Sequence, residues 1–194
     1  IGGGDKGAGG TITINGGNVT AVGGEHGAGI GGGDGGAGGS IQINGGTVTA
    51  TGGNDGGAGI GGGRNGAAGT FAATGDVFII ASSISDNGED EKANWSGVIF
   101  EGDDGQVYGA PTLKTVKTIP SGKRLEIPAG KTLTIDNNVT LTNNGVIGVY
   151  GTISGSLTNN GTIMVGPDGK IPEGTADIVI RYPSNRTYLD KDGE

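Results

Sequence analysis

Apolar residues in the first 84 positions recur in short alternating runs. Thr11-Ile-Thr-Ile14, Ser40-Ile-Gln-Ile43 and Thr70-Phe-Ala-Ala73 place an apolar side chain at alternate positions, the period of a strand with one buried face. Shorter runs follow: Val19-Thr-Ala21, Val48-Thr-Ala50 and Phe78-Ile-Ile80. Ile1, Ile30 and Ile60 each open an Ile-Gly-Gly-Gly segment, at spacings of 29 and 30 residues. A unit with three such short strands cannot close a core alone. Stacking each strand in parallel on its equivalent one coil on, about 4.8 Å away, solves this. The pattern therefore predicts an all-β fold, a parallel β-helix (β-solenoid) with glycine-rich corners and about three strands per 29–30-residue coil. Interior columns are expected at Ile12/Ile41/Phe71, Ile14/Ile43/Ala73, Val19/Val48/Phe78 and Ile1/Ile30/Ile60. Asn15 and Asn44, each before Gly-Gly, read as a corner ladder, because Asn tolerates left-handed backbone and bonds its stacked copy.

The pattern changes after Ile84. Residues 85–110 read as an acidic junction in which Gly97–Gly102 and Gln106–Tyr108, split by Asp103-Asp104-Gly105, form a hairpin or a solenoid corner. Residues 111–194 run on a shorter beat, with Ile119, Ile127 and Ile135 eight apart and Leu125, Leu133 and Leu141 on the same interval. Pro-x-Gly and Asn-Asn-Gly turns between short strands suggest a continuing solenoid with smaller sides. A separate β-sandwich built from hairpins also fits this spacing. No stretch reads as a convincing helix.

Composition sharpens this picture. Of 48 glycines, 31 fall in the first 69 residues. Glycine lacks a three-residue period and proline is scarce, which excludes collagen. No apolar run approaches the ~20 residues of a membrane-spanning helix. There is no cysteine, so neither a disulfide framework nor a thiolate metal site exists. The net charge of −8 and pI near 4.5 argue against nucleic acid or an anionic membrane as partner. The chain opens at Ile1 inside a repeat, without an initiating Met, and is expected to be a piece of a longer protein.

Candidate chemistry is sparse. Gly27-Ala-Gly-Ile-Gly-Gly32 spells a dinucleotide fingerprint, but no helix follows to face a pyrophosphate. The corner series Asp5, Asp34, Arg64 ends in a cation, which repels calcium and suits a pair with Asp34. Hard cations want clustered oxygens, so Asp86, Glu89, Asp90 and Glu91 are the candidate metal ligands, for Ca2+; a solvated acidic face is the alternative. No other cofactor is expected. His26 is the only histidine, and no nucleophile or pair of facing carboxylates assembles around it, so the chain is not expected to be an enzyme. Carbohydrate contact is the expected chemistry, through Trp95 and Tyr108 with Asp103 and Asp104, where aromatic rings and acids coincide. Trp95 reads equally as a cap between the two halves.

Gly-Ala-Gly-Ile-Gly-Gly-Gly with Ile-x-Ile-Asn-Gly-Gly-x-Val-Thr-Ala resembles the repeat regions of cell-surface proteins of anaerobic Gram-positive bacteria. Those regions are similar to the parallel β-helix carbohydrate-binding domain family. The likeness extends through Trp95-Ser-Gly-Val-Ile-Phe100 and the Ile-Pro-x-Gly-Lys and Asn-Asn-Gly-x-Ile units. It implies an extracellular or cell-surface module, structural or adhesive, that takes a polysaccharide or a host or cell-wall glycan. A carbohydrate-active β-helix enzyme, a lyase or hydrolase, is the alternative; acids grouped with Lys or Arg in one groove would favour it.

Overall fold

Alternating strands become stacked coils in the computed structural model, which describes residues 1–85, 89–175 and 179–181. The first solenoid contains β1 (Thr11–Ile14), β2 (Asn18–Val22), β3 (Ile30–Gly31), β4 (Ser40–Ile43), β5 (Gly46–Thr51), β6 (Ile60–Gly61), β7 (Thr70–Ala73) and β8 (Val77–Ala81). Its sides are the parallel stacks β1-β4-β7, β2-β5-β8 and β3-β6. Ile12, Ile41 and Phe71 pair in register, as do Ile14, Ile43 and Ala73. Isolated bridges extend the third side, joining Gly2 to Gly31 and Ile60 to Ile84. At the first corner Asn44 Nδ2 donates to Asn15 Oδ1 at 2.8 Å and Thr74 Oγ1 to Asn44 Oδ1 at 2.9 Å, so a ladder of two amides and a hydroxyl spans three coils.

One column is shifted from expectation. Val19 and Val48 stack on Ile79, and Phe78 pairs with Thr47. The third copy has one extra corner residue between Ala73 and β8, where Asp76 accepts from the Thr112 N–H at 2.8 Å. A one-residue slip turns every side chain over. Phe78 thereby leaves the first core and enters a second.

That second core explains the rest of the chain. A 3-10 helix (Glu89–Asn94), where no helix was expected, leads into β9 (Gly97–Glu101), which pairs in parallel with β8. β10 (Asp104–Tyr108) then returns antiparallel to β9. The turn falls at Gly102-Asp103, with Gly102 at φ +60°, so Asp104 and Gly105 lie in the strand rather than in the loop expected from sequence.

Next come β11 (Thr112–Leu113), β12 (Lys117–Ile119), β13 (Arg124–Ile127), β14 (Thr132–Ile135), β15 (Thr140–Asn143), β16 (Val146–Val149), β17 (Thr152–Ser154), β18 (Ser156–Asn159), β19 (Thr162–Val165) and β20 (Val179–Arg181). They stack as β11-β14-β17, β12-β15-β18 and β10-β13-β16-β19-β20, all in parallel. Parallel stacks of this kind are a solenoid, not a hairpin-built sandwich. The eight-residue beat is one side of a three-sided coil, not a coil.

One nine-stranded sheet therefore runs through both solenoids, and its two cores lie on opposite faces. Val77, Ile79, Ala81 and Ile99 belong to the first core, while the alternate residues Phe78, Val98, Phe100 and Val107 belong to the second. Rows across the sheet invert accordingly. Ala21, Ala50 and Ala81, inside the first solenoid, continue as Glu101, Asp104 and Arg124 on the outside of the second. Thr20 and Thr49, outside the first, continue as Ile80, Phe100, Gly105, Leu125, Ile147 and Ile163. Gly105 leaves room for the Phe100 ring, one atom of which lies 2.4 Å from where a Cβ would stand. Reversing the strands and changing the face together make a half-turn about the stacking axis. That operation preserves hand, so the hairpin keeps both coils compatible with the preferred crossover sense of parallel strands.

Candidate functional site

The inversion creates a re-entrant corner on each face. On one face the first solenoid ends at Ile84 and Trp95 while the sheet continues outward as β10 and β13. Side chains of these strands floor a cleft of about 440 Å³, lined by Glu101, Asp104, Gln106, Tyr108, Arg124 and Glu126 against Ile84, Trp95 and Ile99. On the other face, Lys117 closes the corner. Its ammonium bonds the Thr47 hydroxyl and lies 5.8 Å from the Phe78 ring centroid, and burial pushes its pKa down.

Trp95, expected as a sugar platform, is only 4% exposed. Its ring meets Phe71 edge-on at 4.9 Å and Tyr108 at 5.3 Å, and Nε1 donates to the Phe71 carbonyl at 3.3 Å. An indole wedged this way seals the open end of the first core, where the next coil is missing, and has no face to offer a sugar. Tyr108 is half-buried beside it and lines the cleft.

Asp103 and Asp104 separate. Lys123 clamps the hairpin turn, donating to the Gly102 carbonyl at 2.6 Å and to Asp103 at 2.9 Å. Asp104 stays exposed on the cleft floor. Glu101 stands directly opposite it across the antiparallel pair, a position where like charges repel. Two features relieve the repulsion: Glu101 accepts the Ile84 N–H at 3.0 Å, and Arg124 takes the next place in the row. Sequence alone missed Gln106, Arg124 and Glu126. Their signal is register: β13 pairs with β10, which sets Gln106 beside Glu126.

Of the expected metal ligands, Asp86 lies outside the described residues, as do the side chains of Glu89, Asp90 and Glu91. Among the described residues no group of three His, Cys, Asp or Glu side chains is placed to hold a metal ion.

A second polar cluster ties glycine corners together. Arg64 donates to both oxygens of Asp34, at 3.2 and 2.9 Å, and to Asp55 at 2.7 Å. His26 Nε2 stands 3.0 Å from the same Asp55 oxygen. The Arg64 hydrogen bonds hold the Asp34 carboxyl below its usual range, against the upward pull of burial, with the charges of Arg64, His26 and Lys6 adding to them. Burial pushes Asp76 up, but Lys114 and the Thr112 N–H outweigh it, so that carboxyl is lowered too. A carboxyl depressed on folding stabilises the fold above its unfolded pKa of about 3.9, and that contribution is lost as pH falls through the lower folded value. Arg64→Gln is therefore expected to melt below wild type at neutral pH, with the gap closing below about pH 4. Melting curves across this range check it; a gap that persists undiminished at about pH 2.5 contradicts the role given to Asp34.

A family model described as a beta helix repeat matches residues 12–34 and 41–64. No curated protein and no solved structure matches the chain. The matched stretches run from β1 through β3 and from β4 through β6. The chain is a parallel β-helix whose first two coils carry the beta helix repeat.

Proposed function

We propose that the protein is a non-catalytic, extracellular β-helix module that holds a polysaccharide chain in the cleft between the end of the first solenoid and the shared sheet. One observation carries this reading: a concavity large enough for a sugar ring gathers a phenol, an amide, acids and a guanidinium from Tyr108, Gln106, Asp104, Glu126 and Arg124. Sugar hydroxyls donate to carboxylates and exchange paired hydrogen bonds with amides, and the ring's apolar face packs on aromatic carbon. The rigid sheet beneath fixes the spacing of these groups, which lowers the ordering cost of binding.

Titrating plant and mucosal polysaccharides against the chain tests the proposal. Gln106→Ala and Glu126→Ala, both on half-buried outward positions, are expected to weaken binding by about tenfold each, the size of one lost hydrogen bond to a charged or polar partner. Binding unchanged by both variants places the glycan elsewhere.

Arg124 among Glu101, Asp104 and Glu126 supports the second reading, a carbohydrate-active enzyme, because it sets a base among acids in one groove. Release of reducing or unsaturated sugar ends, lost in Arg124→Gln, would establish that reading instead.

A further inference from the structure

The second solenoid carries a recess that the cleft does not account for. Along one corner its three coils have unequal lengths. Pro128–Lys131 and Gly166–Gly169 each make a four-residue turn, closed by Lys131 N donating to the Pro128 carbonyl at 3.0 Å and Gly169 N to the Gly166 carbonyl at 3.1 Å. Between them, the middle coil turns with Tyr150-Gly151 alone, because β16 ends at Val149 and β17 begins at Thr152. Thr132, Thr152 and Lys170 remain in register along the stack. The long corners thus project on either side of a short one, roughly 10 Å apart over two strand spacings.

The notch between them has a volume of about 550 Å³ and is lined by Lys131, Thr132, Tyr150, Thr152, Asp168 and Lys170. Tyr150 lies in its floor, its ring held over two glycines: a Cβ on Gly166 would stand 2.6 Å from the ring and one on Gly148 would stand 3.6 Å from it. Arg124 reaches the same place from the cleft side, 3.7 Å from the Gly148 position. Two lysines against one aspartate leave the notch with a charge of +1, on a chain whose net charge is −8.

We propose that this notch is a binding site for an anionic sugar residue, whose ring rests on Tyr150 and whose carboxylate or sulfate is held between Lys131 and Lys170. An aromatic floor selects a ring with an apolar face, and flanking ammonium groups select an anion through charge-assisted hydrogen bonds. Thr132 and Thr152 add hydroxyls that donate or accept. The site does not depend on the reading of the cleft.

Calorimetric titration of the 194-residue chain with an oligogalacturonate, a sulfated galactan oligosaccharide and a neutral galacto-oligosaccharide tests the proposal. The anionic probes are expected to bind at least about tenfold more tightly than the neutral one, and to lose that margin as salt is raised. A preference for one anionic probe identifies the group held, carboxylate or sulfate. The double variant Lys131→Gln/Lys170→Gln is expected to bind all three alike, while Lys6→Gln in the first solenoid keeps the margin. Both notch lysines are exposed, so melting temperature should not change in the double variant. Equal binding of anionic and neutral probes by wild type, or an undiminished margin in the double variant, overturns the proposal.

Discussion

Gly33→Ala is expected to melt roughly 6–12 °C below wild type, and Gly4→Ala, the same repeat position one coil earlier, to melt no lower than wild type. A Cβ on Gly33 would stand 1.8 Å from the Gly4 carbonyl oxygen, whereas one on Gly4 meets nothing within 4 Å. Backbone cannot swing aside as a side chain does, so the coils must part locally. Overpacking of this kind costs up to about 3 kcal/mol, and each kcal/mol moves the midpoint of a chain of this length by about 2–4 °C. Alanine at Gly4 keeps the native contacts and narrows the unfolded ensemble, for a change of at most about 1 kcal/mol in the favourable direction. Circular dichroism melts of the two variants decide the matter. Equal midpoints would mean that the coils are not in backbone contact at this corner, and the glycine density would need another cause.

Ile43→Asp should abolish cooperative folding, while Gln42→Asp beside it leaves stability within about half a kcal/mol. Ile43 is fully buried between Ile14 and Ala73, and Gln42 points to solvent. An unpaired carboxylate in that column faces only apolar neighbours, and burying it costs several kcal/mol, which is comparable to the whole margin of a typical domain. Denaturant titration separates the two variants. Similar midpoints would place β4 one residue out of register and reverse its faces.

The parts of the fold legible in the sequence are those where repeat and register agree. Ile12, Ile41 and Phe71 occupy equivalent places, and the corner asparagines repeat with them, so counting along the chain finds the coil. The third copy of the second strand defeats counting. Val77-Phe-Ile-Ile80 is apolar throughout, so a slip of one residue leaves no mark in the pattern. The continuous run carries the missing information: a strand with no polar side has both faces buried. Trp95 was legible as an aromatic beside acids, and equally as a plug; an open solenoid end needs a large side chain, and the structure shows which need prevails. The cleft was only partly visible, because its floor joins Asp104 to Arg124 and Gln106 to Glu126, twenty residues apart. Nothing local in the sequence records a pairing across an intervening coil.

The shared sheet has a consequence for how such rods are coupled. Only one side of the coil crosses the joint, while the other sides of each solenoid stop on their own face of it. The circumference on one side of the joint therefore places no demand on the circumference on the other. Here a coil of 29 residues, from Ile12 to Ile41, meets coils of 22 and 16, from Leu125 to Ile147 and from Ile147 to Ile163. A straight continuation would have to match all three sides of one gauge to all three sides of the other. The hairpin works instead as an adaptor: rods of different bore can be spliced through it, provided that each supplies one strand of matching length to the common sheet.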